Sequence, residues 1–220
     1  WSSNISSNNS SFKSCLFCVC HFNIYTINIF NSIFYNGLDV SVRACQAIAL
    51  QPGIRLNASW NTFKQPTAPV SGRAGIVMQR PAGSTALSWS QVTITNNNFE
   101  NFGRGPSDAL GCIYIYSGSE SSIIDSNTIK NSYGTSITVK ADSGSTVITN
   151  NTVNGHLDTV NGAIVFYDQA DTYTSSIGKN LVIANNSVFN CVTTAIFVNG
   201  ARLSLSNFQN AVIANNVCDT

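Results

Sequence analysis

Residues 182–190 read VIANNSVFN, and residues 212–218 read VIANNVC, nearly the same phrase begun 30 residues later (212 − 182). Earlier copies are TVITNNTVNG (146–155), SIIDSNTIKN (122–131) and QVTITNNNFEN (91–101). Their template is an apolar residue, any residue, two polar residues that are usually Asn, any residue, an apolar residue, any residue, and Asn. Weaker copies stand at LNASWNTFKQ (56–65) and INIFNSIFYN (27–36). The second polar position falls on Ser32, Asn61, Asn97, Asn127, Asn151, Asn186 and Asn216, in steps of 29, 36, 30, 24, 35 and 30 residues. One phrase per period of that length marks a chain of stacked repeats.

The local pattern gives the repeat its strand type. The apolar residues flanking the polar pair alternate with a period of two and are rich in Val, Ile, Thr and Phe, which predicts short strands rather than helices. A third strand follows at variable distance, at GIVM (75–78), CIYI (112–115), SITV (136–139), AIVF (163–166) and AIFV (195–198). Three short strands per period, stacked in parallel, predict an all-β parallel β-helix of about 7–8 turns. The polar pair is then a corner, where Asn tolerates left-handed backbone and can pass amide hydrogen bonds from turn to turn. Ile94, Phe99, Ile124, Ile129, Ile148, Val153, Ile183 and Val188 are predicted to point inward in columns, and a one-residue slip would turn each column outward.

The paired-Asn corners ITNN, IDSN and IANN, each leading through a short strand to a small residue and an apolar alternation, resemble the right-handed parallel β-helix superfamily, the pectin lyase-like fold. The resemblance covers about residues 27–219. It implies the fold; activity varies within the superfamily, from pectate and alginate lyases, polygalacturonases and epimerases to phage tailspikes and adhesins. The whole chain, 1–220, reads as a single β-helix domain, with 1–26 its least regular turn. Both ends fall inside a turn and neither carries a cap, so the chain is expected to be a fragment of a longer solenoid, or to associate with its own copies end to end or as trimers.

Composition narrows the function. The 220 residues include 28 Asn, against 21 charged side chains (11 + 10), and the net charge is +1. Without a basic run, nucleic acid is excluded as an expected partner. No apolar stretch approaches the roughly eighteen residues of a membrane span. The seven cysteines (Cys15, Cys18, Cys20, Cys45, Cys112, Cys191 and Cys218) leave at least one unpaired within the chain. CLFCVC (15–20) lacks the matching second pair of a zinc site, and it reads as a buried strand. Six glycosylation sequons occur, at Asn4, Asn8, Asn9, Asn57, Asn150 and Asn185. Stacking at the repeat corner is expected to hide the last two.

The resemblance implies that polysaccharide lies across the third strand of each turn. Its outward columns would be Gln79, Tyr116, Lys140, Tyr167 and Asn199, and beside them Val77, Tyr114, Thr138, Val165 and Phe197. Tyr114, Tyr116, Lys140, Tyr167 and Asn199 are the candidate saccharide contacts, since the rings offer flat apolar area with a polar tip. If the face is that of a lyase, Lys140 or His156 would be the base and Arg202 or Arg104 the charge neutraliser. Asp142, Asp168 and Asp171 would then be candidate Ca²⁺ ligands. Each also has a plain structural reading, because Asp favours turns and Lys favours solvated strand ends; on that reading no cofactor is needed. The paired Asp, Gly-His-Gly and Arg-Ile-Lys motifs of polygalacturonases are absent, and GHLD (155–158) keeps only the Gly-His. The preferred expectation is an extracellular or cell-surface structural or adhesive β-helix (a fibre, tailspike or adhesin) that meets polysaccharide or other glycans. The alternative is a lyase or epimerase acting on an acidic polysaccharide.

Overall fold

The computed structural model describes residues 3–8, 11–13, 17–19, 24–35, 46–50, 55–64, 74–78, 91–102, 111–116, 121–141, 144–168, 178–199 and 210–219. These residues form three sheets in which every strand pairing is parallel. The first sheet stacks β1 (Ser3–Asn8), β4 (Ile24–Phe30), β7 (Arg55–Ser59), β10 (Val92–Thr95), β13 (Ser121–Asp125), β16 (Gly144–Thr149), β19 (Gly178–Ala184) and β22 (Asn210–Ala214). The second stacks β2 (Ser11–Lys13), β5 (Ile33–Tyr35), β8 (Thr62–Lys64), β11 (Asn98–Glu100), β14 (Thr128–Ser132), β17 (Thr152–His156), β20 (Ser187–Cys191) and β23 (Val217–Cys218). The third stacks β3 (Phe17–Val19), β6 (Gln46–Leu50), β9 (Ala74–Met78), β12 (Ile113–Tyr116), β15 (Ile137–Ala141), β18 (Ile164–Asp168) and β21 (Ile196–Asn199). The chain visits the three sheets in rotation, one strand in each, and so winds a parallel β-helix. Residues 3–19 supply one full round of three strands, each in register with the next turn.

Period-two alternation places the core inside this tube. Ile94, Ile124, Ile148 and Ile183 are register partners in the first sheet, and each is 0% exposed. Phe63, Phe99, Ile129, Val153 and Val188 form the matching column of the second sheet, equally buried. The Phe63 and Phe99 rings stack with centroids 4.5 Å apart, and Phe102 meets Phe63 edge-on at 6.2 Å. Full burial of one such side chain contributes about 1.5–3 kcal/mol, so the columns fix the strand register.

At the corner between the first and second sheets the two polar residues have separate tasks. The first takes left-handed backbone: φ is 47° at Asn31, 60° at Trp60, 56° at Asn96 and Ser126, 54° at Asn150, 57° at Asn185 and 54° at Asn215. The second turns its amide into the tube. Asn61, Asn97, Asn127, Asn151 and Asn186 are all at most 2% exposed. In each, Oδ1 accepts the backbone N–H of the corner one turn earlier at 3.0 Å. The Nδ2 group donates backwards to a first-sheet carbonyl of the preceding turn, as from Asn127 to Ile94 at 2.9 Å. It also donates forwards to the next Oδ1, as from Asn127 to Asn151 at 3.0 Å. Ser32 begins the column by donating its N–H to Asn61 Oδ1, and Asn216 continues it by accepting from Asn186.

The last Asn of the template makes a second left-handed corner, at Asn101, Asn131 and Asn190. Gly155 takes this place in its turn with φ 84°. A Cβ there would lie 2.8 Å from Asn131 Oδ1, so glycine suits both the backbone and the space.

The two corner positions should therefore respond differently to substitution. Asn127→Ala removes the partner of the Asn97 backbone N–H, of one Asn97 Nδ2 hydrogen and of the Ile94 carbonyl, each worth about 1–3 kcal/mol when buried and unpaired. Chemical denaturation should show a loss of several kcal/mol for Asn127→Ala and a change within about 0.5 kcal/mol for the exposed Asn150→Gly.

Candidate functional site

The third sheet aligns part of the expected saccharide face. Backbone register runs Tyr116 to Lys140, Lys140 to Tyr167 and Tyr167 to Asn199, one column across four consecutive strands. Asp168 ends its strand opposite Ala141. Gln79, Arg104, Asp142, Asp171 and Arg202 lie outside the described residues, as does Asn9 among the sequons. Among the described residues, no group of three or more His, Cys, Asp or Glu side chains is placed to hold a metal ion.

The neighbouring column departs from expectation. Tyr114 was expected on an open platform but is only 6% exposed, and Val77, Thr138 and Val165 are at most 1%. At Thr138 and Val165 the chain approaching the third strand lies against that column. The Thr135 and Thr138 hydroxyls bond to one another. A Cβ on Gly162 would stand 3.4 Å from a Val165 methyl and 3.1 Å from Phe197 Cβ. Phe197, at the last of these strands, is 39% exposed.

His156, a candidate base in the sequence, is not on an accessible surface. It is the final residue of β17 and is 0% exposed. Its Nε2 faces the Asn161 carbonyl at 2.8 Å, which can only accept, so Nε2 carries the proton. Nδ1 then accepts from the Ser132 hydroxyl at 3.2 Å, and Ser132 accepts from Ser136 at 2.6 Å. Burial pushes the His156 pKa below its ordinary value, outweighing the Asn161 carbonyl and the Asp158 charge, which act upward. Asp158 is itself buried: Oδ1 accepts the Val160 and Asn161 N–H groups, and Oδ2 accepts the Asn161 side chain. Together they pin the 157–161 loop against the tube. A buried imidazole with both nitrogens engaged is a positioning element of that loop, not an accessible base.

The exposed second-sheet face is regular. Thr62, Asn98, Thr128, Thr152 and Ser187 are register partners along one column. Beside them run Lys64, Glu100, Lys130 and Asn154. Lys64 and Glu100 form an ion pair at 2.9 Å, and the Lys64 hydrogen bond is the leading cause of a lowered Glu100 pKa. Asp125, at the corner, has its pKa raised by burial but lowered further by donors from Thr149, Asn150 and Ser126, with a net lowering. The Asn150 and Asn185 side chains are exposed rather than hidden, because the residue after each one enters the stack. Asn57 is half-buried on the outer side of β7, where it accepts from Ser59; Asn4 and Asn8 lie on β1. Trp60 holds the corner position that Asn or Ser holds in the other described turns, and it is 64% exposed. The replacement of Asn by Trp in LNASWNTFKQ was its only sequence signal.

The description of the right-handed β-helix region family matches residues 41–219, and the chain belongs to that family. Neither a curated protein nor a solved structure matches it.

His156 makes stability depend on pH in a defined direction. Its folded-state pKa is depressed, so below its ordinary value of 6.5 the unfolded chain binds the extra proton and the folded chain resists it. Stability contributed through this group is flat above pH 6.5 and falls as pH drops below it. Urea midpoints measured between pH 8 and pH 5, compared with those of His156→Gln, should show the wild-type decline in that window flattened in the variant.

Proposed function

We propose that this chain is an extracellular, structural or adhesive β-helix that presents periodic polar columns to glycans. Support comes chiefly from the ladder of Asn61, Asn97, Asn127, Asn151, Asn186 and Asn216, which locks successive turns into one stiff rod. A stiff rod gives its outer columns a fixed spacing of about 4.7–4.9 Å per turn, and such a surface can meet a repeating polymer with repeated contacts. Tyr116, Lys140, Tyr167 and Asn199 are register partners along one line of the third sheet and are the proposed glycan contacts. The same alignment favours a second reading, a lyase or epimerase on an acidic polysaccharide, in which Lys140 would draw a proton from the carbon beside a uronate carboxylate. The burial of His156 removes the other proposed base from that reading.

The two readings separate cleanly. In a glycan-binding assay, replacing Tyr116 and Tyr167 together with Ala should weaken binding about tenfold or more, and electron microscopy of purified material should show rods. Incubation with pectate or alginate should release no unsaturated uronate. Release of that product, lost in Lys140→Ala, would install the lyase reading instead; a wild-type protein that binds no glycan in a broad panel would remove the adhesive one.

A further inference from the structure

The first corner position takes left-handed backbone at each corner described, from Asn31 to Asn215, and these corners fill it with Asn or Ser except at Trp60. A bulky L-residue held there costs roughly 1–2 kcal/mol of backbone strain. Nothing in the core recovers it, since Trp60 is 64% exposed. Strained residues of this kind cluster where a ligand is held, and exposed Trp is a frequent anchor of binding surfaces.

The surroundings specify a ligand. Backbone hydrogen bonds run from Asn31 N to Ser59 O, from Trp60 N to Thr95 O and from Asn96 N to Asp125 O. They set Asn31 one turn before Trp60 and Asn96 one turn after it. On the adjoining second-sheet face, Ile33 is 49% exposed, and Thr62 pairs in register with the exposed Asn98. The indole thus stands as a flat apolar plate among carboxamides and a hydroxyl, with a ring N–H of its own. The adjacent charges, Lys64 and Glu100, are paired with each other. A carboxylate-bearing sugar would find no unmatched cation among these flanking groups, whereas a neutral one would find donors and acceptors.

We propose that the Trp60 corner is a saccharide site that takes a neutral pyranose against the indole, with the Asn31, Asn96 and Asn98 amides bonding its hydroxyls. This rests on the glycan-binding reading and adds to the third-sheet contacts a second one at the edge between the first and second sheets.

Trp60→Asn is the informative variant, because Asn suits the left-handed corner and should raise the denaturation midpoint while removing the plate. The probes are cellohexaose, maltohexaose and mannohexaose, with a galacturonate hexamer as the acidic control. Wild type should bind at least one neutral hexamer with a change in tryptophan fluorescence and prefer it to the acidic control. Trp60→Asn should lose at least tenfold in affinity, and Trp60→Tyr should retain most of it. Undiminished binding by Trp60→Asn, or no neutral hexamer bound by wild type, would overturn the proposal. A changed sedimentation state in Trp60→Asn without any sugar effect would also overturn it, and would mark the corner as a contact between copies. If only the third-sheet double variant loses binding, the broader glycan-binding reading stands and the corner site falls.

Discussion

The buried carboxamide column carries the architecture. A two-residue corner between parallel strands leaves a backbone N–H pointing into the tube, where no water reaches it, and a buried unpaired donor is costly. Asparagine resolves this because its side chain holds an acceptor and two donors on a short, stiff arm. One amide accepts the N–H of the turn before it, donates one N–H to a carbonyl of that turn and donates the other to the next amide oxygen. Each corner is thereby satisfied by its neighbours, and removing one disturbs the turns on both sides.

That column frees the rest of the surface. Since the register is fixed at the corner and by the Ile and Phe columns, outward positions need only keep strand geometry. The second-sheet face can therefore carry Thr, Asn, Ser, Lys and Glu in lines without loss of register. The corner's first residue stands outside the buried amide column, and that column requires of it only a left-handed φ. This is why Asn, Ser and even Trp60 occupy it. The loop that reaches the third sheet varies in length from turn to turn. Ahead of β15 it brings Thr135 onto Thr138, and Tyr114 and Thr138 are both buried although they face outward.

The division of labour within the polar pair was only half legible. The repeated phrase marks the corner and suggests both left-handed backbone and amide stacking, but it does not say which of two adjacent Asn does which. Asn150 and Asn185 look interchangeable with Asn151 and Asn186 in one dimension; in the fold, the first of each pair faces solvent and the second is buried. His156 illustrates the same limit. As a residue following a glycine in a polar stretch it resembles loop chemistry, yet its partners Ser132 and Asn161 come from the preceding turn and from a hairpin-like return of the chain.

The sequence by itself determined the parallel β-helix, the strand triplets, the inward columns and the place of the Asn corner. All of these arise from local alternation repeated at each turn, and local alternation is written directly in residue order. Only the tertiary structure decided that His156 and Asp158 are buried, that Tyr114 is covered, and that Trp60 stands in solvent at a strained corner. Those outcomes depend on what one turn lays upon the next, and turns 24 to 36 residues long set side chains beside partners that are far apart in the chain.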